Sequence, residues 1–343
     1  MSEIHLPNPP VITRRKLIQT AAVGVGAAGV AASGLAPLAP ASAASLEKVT
    51  PLTASETAAI ETALGKKGKL VASEGVFTVP LPRADLKVKV KGQPVPTPLG
   101  FGGWVSVKRT LDGKNAVLMS DTVLLEEEVN PLIDAAHANG LEISAIHNHF
   151  FYEQPRIFYM HLHGMGSPED LARRYAQAIK TTKLFPANQP PMGLPPAKTG
   201  KEIFDLPTLD AIVGHTGAVN GPTYKYTVGR DDLTVLAMGA QITTAIGLNT
   251  WMTLAGTPGD AHAAGDIAML DYEVNPVVRT LRKNGIEVVA LHSHMIGESP
   301  RVIFLHYYGR GPAATLAKGF REALDVLGKG NSATVVRFGS LSH

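Results

Sequence analysis

The chain has 343 residues, 32 Lys+Arg against 29 Asp+Glu, 12 His and no Cys, and 45% of its residues are hydrophobic. That length accommodates about two domains with a sizeable core, and the apolar fraction excludes a wholly disordered chain. A formal charge of +3, with no basic stripe interleaved with aromatics, argues against nucleic acid as a partner, and the absence of Cys removes disulfides, Cys-ligated zinc, thiolate nucleophiles and Cys-linked lipid.

The first 43 residues read as an export signal. Arg14 and Arg15 precede a mild Ala/Gly/Val run over 20–30, and Ala41-Ser42-Ala43 supplies an A-x-A cleavage pattern. The paired arginines predict a twin-arginine signal, with cleavage near Ala43 and a periplasmic or extracellular protein. The apolar run is too weak for a membrane span of about 20 residues, so no transmembrane segment is expected in the mature chain. Residues 1–43 carry three Lys/Arg and one acid, which leaves the remainder at +1.

Short β-prone runs follow at 76–79, 86–90, 104–108 and 116–118. Asn130 then reads as a helix N-cap with Pro131 at the first helical position and Gly140 as the stop. A strand is expected over 141–151, a turn at Glu153-Gln154-Pro155, a strand over 157–163, and a helix from Ser167 with Leu171, Tyr175, Ala178 and Ile179 facing inward. Strand–helix–strand–strand–helix is most of a split β-α-β-β-α-β unit, so the predicted fold class is α+β and ferredoxin-like with extra N-terminal strands. Two capped helices argue against the alternative, an all-β barrel.

The chain then repeats itself. Glu128-Val129-Asn130-Pro131 recurs as Glu273-Val274-Asn275-Pro276, and the offset of 145 holds from His147/His292 through Gly166/Gly311. Farther upstream the offset becomes 147, pairing Arg83/Arg230, Gly100/Gly247 and Trp104/Trp251. The expected organisation is a signal over 1–43, one module over 46–182, a proline-rich linker over 183–202, a second module over 203–329 and a tail over 330–343.

The histidines carry the chemistry. His147 and His149 stand at i and i+2 on a predicted strand, as do His161 and His163 on the next, so each pair projects to one face. A turn centred on Pro155 would set His149 opposite His161 and His147 opposite His163, near enough to share one ion. The second copy keeps His292, His294 and His306 and has Tyr308 in place of His163. Each copy is thus expected to hold its own cluster, with Glu128 and Glu273 as further ligands and Glu153 and Glu298 as ligands or general bases. Nitrogen and oxygen ligands suit a divalent transition metal such as Zn, Cu, Fe, Mn or Ni. Histidines satisfied structurally, or acting without metal as acid–base or ligand-binding groups, are the other readings. The His-x-His…Glu spacing resembles cupin metal ligation in chemistry alone.

Arg156 and Arg301 are candidate anion-binding residues, or turn salt bridges with Glu153 and Glu298. Asp121 and Asp266 are candidates to support the ligands. Trp104 and Trp251 read as core, and His137, His215 and His262 as incidental.

The string Glu273-Val-Asn-Pro, His292-Ser-His294, Glu298-Ser-Pro-Arg301, Phe304-Leu-His306-Tyr-Tyr-Gly309 resembles the LppY/LpqO family of exported bacterial proteins, and the first copy carries a variant of it. The resemblance covers nearly all of the mature chain as tandem units and implies export and domain identity, with no biochemical role attached. Lipoprotein members need a Cys at the cleavage site; here a free exported protein is expected. The functional expectation is a metal-binding protein, with metal-dependent hydrolysis or oxygen chemistry as its enzymatic form. The alternative is a non-catalytic protein that binds a small molecule or a cell-envelope component.

Overall fold

The computed structural model describes residues 48–184 and 198–329; the predicted signal, residues 185–197 of the linker and the tail lie outside the described residues. In the first copy the order is α1 (Ala54–Leu64), β1 (Lys69–Val71), β2 (Val76–Pro82), β3 (Val88–Val90), β4 (Gln93–Val95), β5 (Gly102–Arg109), β6 (Ala116–Leu125), α2 (Glu126–Ala138), β7 (Glu142–His147), β8 (Glu153–Gln154), β9 (Ile157–Gly166) and α3 (Pro168–Ala178). The second copy has α4 (Gly200–Ile203), α5 (Leu206–Val213), β10 (Ala218–Asn220), β11 (Thr223–Gly229), β12 (Val235–Ala237), β13 (Ala240–Ile242), β14 (Asn249–Gly256), β15 (Ala261–Met269), α6 (Asp271–Lys283), β16 (Glu287–His292), β17 (Ile303–Gly311) and α7 (Ala313–Leu324). The fold is mixed α+β.

Each copy builds one six-stranded sheet, in the orders β1-β2-β5-β6-β9-β7 and β10-β11-β14-β15-β17-β16. Neighbouring strands are antiparallel. Because β9 lies between them, β6 and β7 run parallel, and α2 makes the crossover. The other neighbour of β6 is its upstream hairpin partner β5. The same arrangement recurs in β15, α6, β16 and β17.

Period-two patterning assigns the faces. Phe77, Val79, Leu81, Val105, Val107, Leu118, Leu124, Met160 and Leu162 bury against Ile60, Leu132, Leu171 and Tyr175 of α1, α2 and α3. The opposite face meets the other sheet: Val76, Val117 and Met119 share a core with Val235, Ile242, Ala268 and Phe304. The layers are helices, sheet, sheet, helices. Every residue of β15 is buried, as expected of a strand covered on both faces. Both copies fall within one compact unit.

Three local expectations change. Asn130 is not a cap: α2 starts at Glu126, and Pro131 lies inside it. Glu128 supplies the N-terminal hydrogen bond instead, accepting from the Leu125 amide at 2.8 Å, and Glu273 does the same for Leu270 at 2.7 Å. The run at 116–118 extends to Leu125 through polar residues. Thr122 reaches the helical layer to bond the Tyr175 hydroxyl at 2.8 Å, whereas Asp121, one residue earlier, turns toward the other sheet.

The third change concerns the hairpin register. His147 is the last residue of β7 and pairs with Tyr159, while Ala145 pairs with His161. His149 therefore stands beyond the strand and opposes nothing within the ladder. The connection is longer than a tight turn because Glu153 and Gln154 leave to pair with Val90 and Lys89.

Candidate metal centre

β7 and β16 are edge strands, and they meet between the two sheets. The Ser144 hydroxyl donates to the His294 carbonyl at 2.7 Å, and the Ser293 hydroxyl to the Ser144 carbonyl at 2.9 Å. Inward side chains at the ends of these strands therefore face the other copy. Ring centroids lie 3.9 Å apart for His147–His292, 3.7 Å for His149–His306 and 4.2 Å for His161–His294. Within each copy, His147–His161 is 5.0 Å and His292–His306 is 4.6 Å. The two expected clusters are thus one continuous group of six imidazoles, built by both copies around a pseudo-twofold axis.

The rings are aimed. Nδ1 of His149, His294, His161 and His306 lies 3.1, 2.8, 2.9 and 3.0 Å from the carbonyls of Gly100, Gly247, Ser120 and Gly265. A carbonyl only accepts, so each Nδ1 carries the proton and each Nε2 keeps its lone pair. Nε2 of His149, His161 and His306, and both ring nitrogens of His147 and His292, are buried without a hydrogen-bond partner. Burial pushes all six pKa values down: His294 to about 3, His306 to about 4, and the other four well below the ordinary range, with neighbouring imidazoles adding to the shift in His147, His149, His161 and His292. Unpartnered neutral imidazoles are costly to bury, and they are also the form that ligates metal.

Two carboxyls accompany them. Asp266 Oδ2 lies 3.2 Å from His294 Nε2, 3.8 Å from His306 Nε2 and 3.9 Å from His292 Nε2. Asp121, its equivalent, has an unpartnered buried Oδ1, and burial, with Asp266 nearby, raises its pKa to about 8. Burial likewise raises Asp266. Among the described residues, ligand atoms within 4.8 Å of one another occur in three sets, His147/His149/His306, His147/His161/His292 and Asp266/His292/His294. The first and third share no residue.

The remaining candidates lie outside those sets. His163 bonds Glu142 at 3.0 Å through Nε2. Glu128 accepts from Arg83 at 2.6 Å and from the Lys183 amide at 2.9 Å. Glu273 accepts from Arg230 at 2.8 Å and from the Gly328 amide at 2.7 Å. These glutamates tie a strand, a helix start and the chain beyond the last helix, which explains why both copies carry them. Glu153 and Glu298 cap their own turns, accepting from Ile157 and Val302 amides at 3.3 and 3.1 Å, with the other oxygen of each unpartnered. Arg156 and Arg301 are exposed; Arg301 lies 3.5 Å from Glu298. His262, outside those sets, has its Nδ1 2.8 Å from the Tyr308 hydroxyl.

A cleft of about 480 Å³ reaches the centre from the β2/β5 and β11/β14 side, lined by Trp104, Asp121, His149, Lys225 and Trp251 among others. The two tryptophans are only partly buried and wall this cleft; Trp104 also packs against the core shared by the two sheets, as the core reading has it. Their recurrence at the 147-residue offset was the available signal. Lys225 left none, because its counterpart in the first copy is Thr78.

A family model described as Domain of Unknown Function (DUF1259) matches residues 58–181 and again residues 207–326. The chain belongs to this family, as a tandem pair. No curated protein matches it. Among solved structures it is similar to EtuB from Clostridium kluyveri, at 12% identity over 73% of this chain and 88% of that one, with a TM-score of 0.16. It is also similar to the trimeric bacterial microcompartment shell protein PduB, at 12% identity over 75% and 89%, with a TM-score of 0.18. Likeness at that level carries no argument about fold or function. Among the described residues no helix is long and apolar enough to cross a membrane.

Proposed function

We propose that this protein binds divalent transition metal at the junction of its two copies and works there on a small molecule entering by the cleft. The observation that carries this reading is the set His147, His149 and His306: three buried imidazoles from both copies, with ligand atoms within 4.8 Å and free Nε2 atoms on His149 and His306. The second independent set, Asp266/His292/His294, has the two-histidine, one-carboxylate composition of open metal sites, so the centre has ligands for two ions. A bound ion supplies Lewis-acid or redox chemistry. The chain itself fixes the tautomers through the four carbonyl contacts and sets Asp121 in the cleft wall, where it is better placed than Glu153 or Glu298 as a proton-handling acid. Hydrolysis and oxygen chemistry are the two reaction classes this centre suits. On the same reading the modules are ferredoxin-like, the family is that of LppY/LpqO, and residues 1–43 direct export to the periplasm or beyond.

The test is elemental analysis of purified protein after loading with Zn, Mn, Fe, Cu or Ni and desalting. One or two equivalents are expected to remain bound, to fall in His149→Ala and His306→Ala, and to persist in His163→Gln. Retention in the first two variants, or no retained metal in the parent, overturns the reading.

A further inference from the structure

Resting on the reading just given, we infer that the cleft beside the centre takes a small aromatic carboxylate, its anionic group held by Lys225 and its ring lying between the indoles of Trp104 and Trp251. The cleft volume of about 480 Å³ lies within the usual span of small-molecule sites, roughly 300–1,000 Å³. Its two indoles come from opposite copies. Trp251 lies 6.2 Å from the His149 ring, and the tip of Trp104 sits over Gly247, where an added Cβ would stand 3.2 Å from it. A planar body fits such a place better than a branched one.

Lys225 breaks the symmetry of the cleft. The equivalent Thr78 is spent on Ser106 at 2.8 Å and on the Ala245 carbonyl at 3.3 Å. Lys225 instead lays its ammonium 4.4 Å from the centroid of the Trp251 ring. No salt bridge engages it among the described residues. Burial lowers its pKa to about 8, while Asp121 and Asp266 pull the other way. A largely buried cation that lies on a π-face, with two carboxyls near but none in direct contact, is a ready site for a carboxylate.

The chain has two tryptophans, and both line the cleft, so intrinsic fluorescence reports occupancy directly. Benzoate is the probe, with benzyl alcohol as the neutral control, titrated into metal-free and metal-loaded protein. Saturable quenching by benzoate is expected in both forms, with benzyl alcohol at least about tenfold weaker, the weight of roughly 1.4 kcal/mol. Lys225→Met is expected to weaken benzoate by a similar factor, and Lys225→Arg to restore it, with both variants folded by circular dichroism. Absence of saturable quenching overturns the inference. So does unaltered benzoate affinity in Lys225→Met, which makes the lysine only a counter-charge to Asp121 and Asp266. Quenching confined to metal-loaded protein overturns it as well, since the carboxylate would then sit on the ion. Failure of the metal reading alone shows separately, as benzoate binding without retained metal.

Discussion

Lowering the pH of the metal-free protein from 7.5 to 5 is expected to destabilise it, and the structure says which groups decide. Six imidazoles are held neutral in the fold, whereas the unfolded chain protonates them below about 6.5. The unfolded state therefore binds more protons in acid, and stability that is complete above 6.5 is lost as the pH falls toward the folded values. For His294 and His306, at about 3 and about 4, the loss at pH 5 is about 2 kcal/mol each. Asp121 acts in the opposite sense: raised to about 8, it is ionised more readily in the unfolded chain, and acidification to pH 5 returns about 3 kcal/mol. Asp266 is raised too and acts with Asp121. His147, His149, His161 and His292 all act with the other two histidines, so the balance falls on the destabilising side. At about 1.5–2 °C per kcal/mol for a chain of about 300 residues, Tm followed by circular dichroism should drop by several degrees in chelator-treated protein. Metal-loaded protein should start higher and fall farther, because protons displace the ion. A Tm that is flat or rising between pH 7.5 and 5 in the metal-free protein would refute the placement of six buried neutral imidazoles.

Three further outcomes follow from contacts elsewhere. Glu273→Gln removes one of the two carboxylates that hold the buried Arg230, Asp232 keeping its paired contacts at 2.8 Å, and should cost about 1.5–3 kcal/mol in urea unfolding, without changing metal stoichiometry at the remote centre. Gly265→Ala drives a methyl group into the Trp251 carbonyl and the Tyr307 hydroxyl. A loss of about 1–3 kcal/mol or more is expected, along with weaker metal retention, because the Gly265 carbonyl orients His306. Tyr308→Phe strands His262 Nδ1 and should cost about 1–3 kcal/mol by thermal denaturation, with metal content intact.

The histidines of the centre were legible as residue types and as a repeated pattern. His-x-His spacing says that two side chains leave a strand on one side, and the 145-residue offset says that this happens twice. The carboxylates were harder to rank. Glu128 and Glu273 recur as faithfully as the histidines because they anchor Arg83 and Arg230, and recurrence alone does not separate a staple from a ligand. Asp266, expected only to support the ligands, stands 26 residues before His292 in sequence, and β15 and β17 set it directly opposite His306.

By itself the sequence determined the duplication, the α+β alternation, the helix-facing positions and the exclusion of thiolate chemistry, because these depend on composition and on periodicities of a few residues. Tertiary structure alone decided that β7 and β16 are edge strands meeting across the two copies, that their imidazoles merge into one centre, and that Trp104, Trp251 and Lys225 frame its entrance. Alternation tells a residue which face of its own sheet it occupies. What stands across the gap depends on how the two sheets pack, a contact between residues about 150 positions apart that no local spacing records.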